Sequence, residues 1–205
     1  GREARTAPEV SVTTTFGPPG KTVVYRLADG WPYILAERTY ANDGKAPLTL
    51  TSNDAMAYLD LGPRLARGKS DFAWGQDPES GLVWVYDSYH GQAYGVAAHD
   101  GPFKVDYLPT RNGLGLRWQP ATGTDWKLGP GEELRLAARL YPGADLFAVQ
   151  AAVAEVVGTP LRAVTVQVSD PDGPVVGALV TLRRAGQIWG MGRSDAKGQL
   201  AVKVP

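Results

Sequence analysis

Short runs of alternating apolar and polar residues, each closed by Gly, Pro, Asn or Asp, recur along most of the chain. "VSVTTTF" (Val10–Phe16) alternates and is β-branched, "GPPGK" turns the chain, and "TVVYRL" (Thr22–Leu27) follows. A period of two sends successive side chains to opposite faces of a strand, so such runs predict half-buried β-structure. "YILAERTYANDGKAPLTLTSN" predicts a hairpin joined at Asn42-Asp43-Gly44-Lys45, residue types that tolerate left-handed turn conformations. "AMAYLDLG", "LVWVYDS", "AYGVAAH", "FKVDYLP", "LGLRWQ" and "EELRLAARLYP" continue the rhythm, which is that of a large antiparallel sandwich. Between Gly62 and Gly81 no period is present. That stretch predicts a long loop crossing the sandwich.

One segment changes period. In "ADLFAVQAAVAEVVGTP", Leu146, Val149, Val153 and Val156 fall at i, i+3, i+7 and i+10, along one face of a helix. Asp145 can cap its start, Gly158 can take the left-handed position at its end, and Pro160 forbids continuation. The domain boundary is placed there: 1–159 as the sandwich ending in the helix, 160–205 as a second unit.

After the boundary, Val164, Val166 and Val168 alternate with polar residues, which predicts one buried face. Pro171-Asp172-Gly173 makes a tight turn, and Pro174, lacking an N–H, suits a strand start or edge. Gly177-Ala178 is read as a place where a backbone or an aromatic ring approaches closely. Ser194-Asp195-Ala196-Lys197-Gly198 predicts a second hairpin turn.

Val168, Asp170, Gly173, Pro174, Gly177, Ala178, Val180, Leu182, Asp195, Gly198 and Leu200 together resemble the carboxypeptidase-regulatory-like, transthyretin-like β-sandwich family. The resemblance covers roughly residues 164–205. Val166 stands where that family usually has glycine, and Leu200 where it usually has an aromatic. Such modules normally run on through further strands, so this one is expected to be partial. The resemblance implies that 169–182 is a structural corner serving turns and packing. More diffusely, "ERTYANDGKAPLTLTSND" and "LGPGEELRLAARLYPGADLFAVQAAVAEV" resemble the opening and closing of galactose-mutarotase-like sandwiches. The order sandwich, helix, transthyretin-like module is similar to the front of exported bacterial hydrolases that carry a PHP-type metal-dependent domain. The fold expected is therefore all-β: a large antiparallel β-sandwich, one short helix, then a partial transthyretin-like, Ig-like sandwich.

Composition narrows the classes. Gly 25 and Pro 16 make about a fifth of the 205 residues, too much for a helical protein. Net charge is zero, so nothing electrostatic points to nucleic acid or an anionic membrane. No apolar run approaches the roughly 20 residues of a membrane span. The absence of cysteine excludes disulfides, thiolate nucleophiles and zinc–thiolate sites. The chain begins at Gly1 without methionine, which is read as a removed leader, and the expected location is exported, periplasmic or extracellular.

Candidate chemistry is sparse. His90 and His99, with Asp87 and Asp100 nearby, match no compact metal-ligand spacing, so neither a metal nor a cofactor is expected. No serine sits in a G-x-S-x-G elbow, and Ser88, two residues from His90, does not make a triad. The mutarotase-like resemblance implies a glutamate base facing histidine acids, with Glu37, Glu132 and Glu133 as candidates against His90 or His99. Glu132-Glu133 reads equally well as a solvated turn. No catalytic residue is assigned.

The six Trp and nine Tyr carry more weight. Trp84, Tyr86, His90, Arg117 and Trp118 form the candidate ligand-binding set, because rings stack on sugar C–H faces while polar neighbours reach hydroxyls. Core packing explains the same aromatics, as does a strand covered on both faces. The function expected is a non-catalytic accessory region of a larger exported hydrolase. It would bind glycan or protein, or position domains, with a carbohydrate ligand and a downstream catalytic domain as partners. A mutarotase-like sugar enzyme and a purely structural exported module are the alternatives.

Overall fold

The computed structural model describes residues 9–16, 20–60, 72–99, 103–108 and 113–205. The elements before the helix are β1 (Glu9–Phe16), β2 (Gly20–Ala28), β3 (Ile34–Ala41), β4 (Leu48–Thr51), β5 (Met56–Asp60), β6 (Phe72–Gln76), β7 (Val83–Asp87), β8 (Gln92–Ala98), β9 (Lys104–Leu108), β10 (Gly113–Arg117), β11 (Asp125–Leu128) and β12 (Glu133–Gly143). Then come α1 (Leu146–Val157), β13 (Arg162–Gln167), β14 (Ser169–Asp170), β15 (Gly173–Pro174), β16 (Leu179–Arg184), β17 (Gln187–Arg193) and β18 (Gln199–Val204).

The fold is all-β with one helix, as expected. A seven-stranded sheet in the order β1-β2-β3-β12-β8-β7-β6 faces a three-stranded sheet, β5-β10-β9, and a ribbon, β11-β4. Val83, Val85, Val96 and Ala138 from the large sheet pack on Leu114, Leu116, Phe103 and Trp118 between the layers. Tyr40, Leu50 and Leu128 extend that core towards β4 and β11. After the helix, β13 pairs with β18, β14 with β15, and β16 with β17.

Helix α1 forms as its local signals require. The Asp145 carboxylate accepts from the Ala148 N–H at 2.8 Å, satisfying one of the orphan donors of a helix start. Gly158 closes the helix in the left-handed region at φ +75°, which costs glycine nothing. Leu146, Val149 and Val153 are buried against Leu82, Trp84, Tyr86 and Tyr141 of the large sheet.

Several expectations change. The hairpin at Asn42–Lys45 does not form: β3 pairs with β2 and β12, while β4 pairs with β11. The Asn42 amide donates to Ala46 O and Leu128 O, both at 2.9 Å, so the turn carries the chain from one layer to the other. The expected loop from Gly62 to Gly81 contains β6, which pairs with β7; residues 61–71 lie outside the described set. The Ser194–Gly198 turn also joins two different ribbons, since β17 pairs with β16 and β18 with β13. A Cβ on Gly177 would meet nothing within 4 Å. That glycine is needed for its φ of +71° and not for a close approach. On β13, Val166 is partly buried but Val164 is exposed.

Candidate functional site

The five predicted ligand-binding residues are not brought together. Trp84, Tyr86 and Trp118 are 3%, 0% and 4% exposed, so no ring of theirs is open to a sugar. Every residue of β7 is buried. Val83 and Val85 enter the core between the layers, and Trp84 and Tyr86 pack under α1 on the opposite face. The expectation that at least one of these rings lines an exposed concave surface is therefore corrected. The helix supplies the second cover that alternation within β7 does not reveal. Trp118 lies edge-on to Phe103, with ring centroids 4.9 Å apart, and Arg38 sits 5.1 Å from its ring. Its indole N–H reaches Ala137 O only at 3.4 Å. Arg117 on β10 pairs with Asp106. His90 lies on the turn after β7, its side chain about half exposed.

The other acid–base candidates are engaged locally. Glu37 pairs with Arg26 at 2.5 Å, Glu133 with Arg135 at 3.1 Å, and Glu132 accepts from the Gly129 N–H at 2.6 Å. His99 is exposed, and Asp100 lies outside the described residues. Among the described residues no group of three His, Asp or Glu is placed to hold a metal ion.

What the structure does assemble is a junction around α1. The helix is buried on two sides. While Leu146, Val149 and Val153 face the large sheet, Phe147 faces the ribbons that follow, in a core with Trp189, Leu200 and Val202. The Phe147 and Trp189 ring centroids are 6.0 Å apart. On β17, Met191 joins the core under the helix while Trp189 joins the second core. The sequence did carry a signal for this. Gly190 and Gly192 alternate in "IWGMGR" and leave one strand face bare, and Phe147 is an apolar residue off the main helical stripe.

Polar contacts close the same junction. Arg193 donates through Nη1 to Gly177 O at 2.7 Å and through Nη2 to Ser88 O at 2.8 Å. Ser88 is held in place by its neighbours. One Asp87 oxygen accepts from the Tyr89 and His90 N–H groups at 2.9 and 3.1 Å, and the other lies 2.6 Å from His90 Nδ1. Burial alone would raise the Asp87 carboxyl; the bonds from the His90 side chain and from the two backbone N–H groups outweigh it and hold the pKa below its ordinary value. The Tyr86 hydroxyl is buried beside Arg193. Its pKa is raised, by burial first, with Asp145 and Asp87 adding to the shift and Arg193 opposing it. Arg184 and Glu79 add an exposed pair at 3.4 Å, of the kind worth little by itself. A groove of about 1120 Å³ runs between α1 and β13–β18, lined by Ala148, Ala152, Leu161, Val164 and Lys203 among others. Chemically this is a clasp: it fixes elements against each other.

No protein-family model matches the chain, and no curated sequence does. Solved structures similar to it include an α-galactosidase from Lactobacillus brevis, at 10% identity and a TM-score of 0.46, over 78% of this chain and 28% of that one. A family 36 α-galactosidase from Geobacillus stearothermophilus has 11% identity and a TM-score of 0.44, over 72% and 26%. A polysaccharide lyase has 13% identity and a TM-score of 0.46, over 94% and 31%. The chain thus spans under a third of each of these proteins. Scores below 0.5 at such identities mark a loose likeness and carry no functional argument.

Proposed function

We propose that the chain is a non-catalytic accessory region of a larger exported bacterial hydrolase, and that its work is positional. In this reading 1–159 and 160–205 are two units, and the second is a partial carboxypeptidase-regulatory-like sandwich. The helix holds it at a fixed angle to the first. The observation that carries the reading is the double burial of α1: Leu146 and Phe147, adjacent in sequence, enter two different cores. A flexible tether needs no such packing, because loosely linked units meet through small polar contacts. The hydrogen bonds of Arg193 to Ser88 O and Gly177 O add directional restraint to the apolar contact.

The cysteine-free sequence makes the test clean. Spin labels are attached at Lys45→Cys and Lys197→Cys, both exposed positions, and their separation is measured by double electron–electron resonance. A single narrow distance distribution is expected, broadened by Phe147→Ala. A broad distribution in the otherwise unaltered chain would overturn the positional reading.

A further inference from the structure

Beside Gln150 of α1 lies a cavity of about 170 Å³, with an adjoining lobe of about 180 Å³. Three parts of the chain wall it. The turn at 77–80, between β6 and β7, brings Asp77 and Glu79. The helix brings Gln150, and the β16–β17 hairpin brings Arg184 and Trp189. These five residues line both lobes.

Gln150 is the unusual member. It is 4% exposed, and its side-chain amide has no hydrogen-bond partner among the described residues. A buried amide left unpaired weakens a fold, a cost that an apolar side chain of the same length avoids. The residue is not shut inside the packing, because it lines both lobes. Asp77 is held by its own turn. One carboxylate oxygen accepts from the Glu79 N–H at 2.9 Å and the other from the Ser80 hydroxyl at 2.8 Å, and each oxygen keeps a further lone pair to accept with. Glu79 and Arg184 stand 3.4 Å apart at the rim, both largely exposed. The Trp189 indole and Ile188 supply an apolar wall.

We propose that this cavity binds one neutral sugar ring, a hexopyranose. Two adjacent hydroxyls meet the Gln150 amide, a further hydroxyl donates to Asp77, and ring C–H groups lie against Trp189. An amide offers a donor and an acceptor side by side, and vicinal hydroxyls match both. Sugar C–H groups match an aromatic wall. Among the charged side chains lining the two lobes, Asp77 and Glu79 outnumber Arg184, which disfavours a phosphate or a carboxylate. Water would satisfy the amide and leave the indole wall unused. The first lobe has the volume of about six waters, which suits a single ring. The site rests on this cavity and not on the positional reading. A ligand touching the turn, the helix and the hairpin at once also holds them together, so binding raises the melting temperature.

The test uses the methyl pyranosides of glucose, galactose and mannose, each set against its matching uronate, in saturation-transfer NMR and thermal melting. At least one methyl pyranoside should bind, with a dissociation constant on the order of 1 mM, and raise the melting temperature. Its uronate should bind about fivefold or more weaker. In the isotope-labelled chain, backbone amide shifts should move at 76–80, 149–151 and 184–189. Gln150→Met keeps the length of the side chain and should lower affinity about tenfold, with melting in the absence of sugar as the check that it is folded. No binding of any methyl pyranoside, equally tight binding of the uronates, shifts confined to other parts of the chain, or unchanged affinity in folded Gln150→Met would overturn the proposal. The shift map uses the unaltered chain and decides the matter even where the variant fails to fold.

Discussion

The ring of Phe147 occupies the space that a side chain on Gly190 would need: a Cβ there would lie 2.3 Å from Phe147 Cε1. The ring therefore packs directly on the β17 backbone, where only glycine leaves room for it.

Gly190→Ala is expected to force Phe147 off its site and to destabilise the fold by roughly 1–3 kcal/mol, the usual range for overpacking. Phe147→Ala should cost about 3–5 kcal/mol through lost contacts and a cavity. Because the two residues share one space, the double variant should be less destabilised than the sum of the singles. Urea unfolding of the four proteins measures this, and strict additivity would show that the contact is not the cause.

Val153 is 4% exposed beneath the large sheet. Val153→Asp should cost several kcal/mol, roughly 3–5 by analogy with uncompensated buried charges. A melting temperature equal to that of the parent would show that the assigned helical face is wrong.

Asp87 gives a pH dependence with a definite sign. Its folded pKa lies below the unfolded value. The stability it contributes is therefore full above the ordinary carboxylate range, about pH 4, and is lost as pH falls through the lower folded value. Asp87→Asn should be less stable at neutral pH and should flatten the acid limb of a plot of urea midpoint against pH. An unchanged acid limb would assign acid unfolding to other carboxylates.

Arg193→Ala removes the bonds to Ser88 O and Gly177 O. Charged hydrogen bonds of this kind contribute about 1.5–3 kcal/mol, less here because Arg193 is exposed. Amide hydrogen exchange should quicken in the turn after β7 and around Gly177 while β10 keeps its protection. Uniform loss of protection would point to global unfolding instead.

How much was legible depended on how local each signal was. The helix is written in adjacent residues: Asp145 caps it, Gly158 ends it, and a 3.6-residue stripe lies between. Strand positions were legible for the same reason. Strand partners were not, because the choice is made far along the chain. The Asn42 turn looks like a hairpin until its amide meets Leu128 O, 86 residues away. Trp84 and Tyr86 misled for a related reason. Alternation tells which residues share a face and says nothing about a helix from later in the chain lying on that face. Gln150 passed unmarked because a lone polar residue in a helix reads as solvent-facing, and the turn and hairpin around it come from either side of the helix in sequence.

Helix α1 contributes to both apolar cores through neighbouring residues, and this ties the fate of one core to the other. Unfolding of the ribbons would strip Phe147 of its partners and loosen the same turn of helix that carries Leu146 and Val149. Loss of the helix from the large sheet would in turn expose the Trp84 and Tyr86 rings. The chain from β3 to β18 should therefore unfold as one cooperative unit. A differential scanning calorimetry trace should show a single transition whose calorimetric and van't Hoff enthalpies agree.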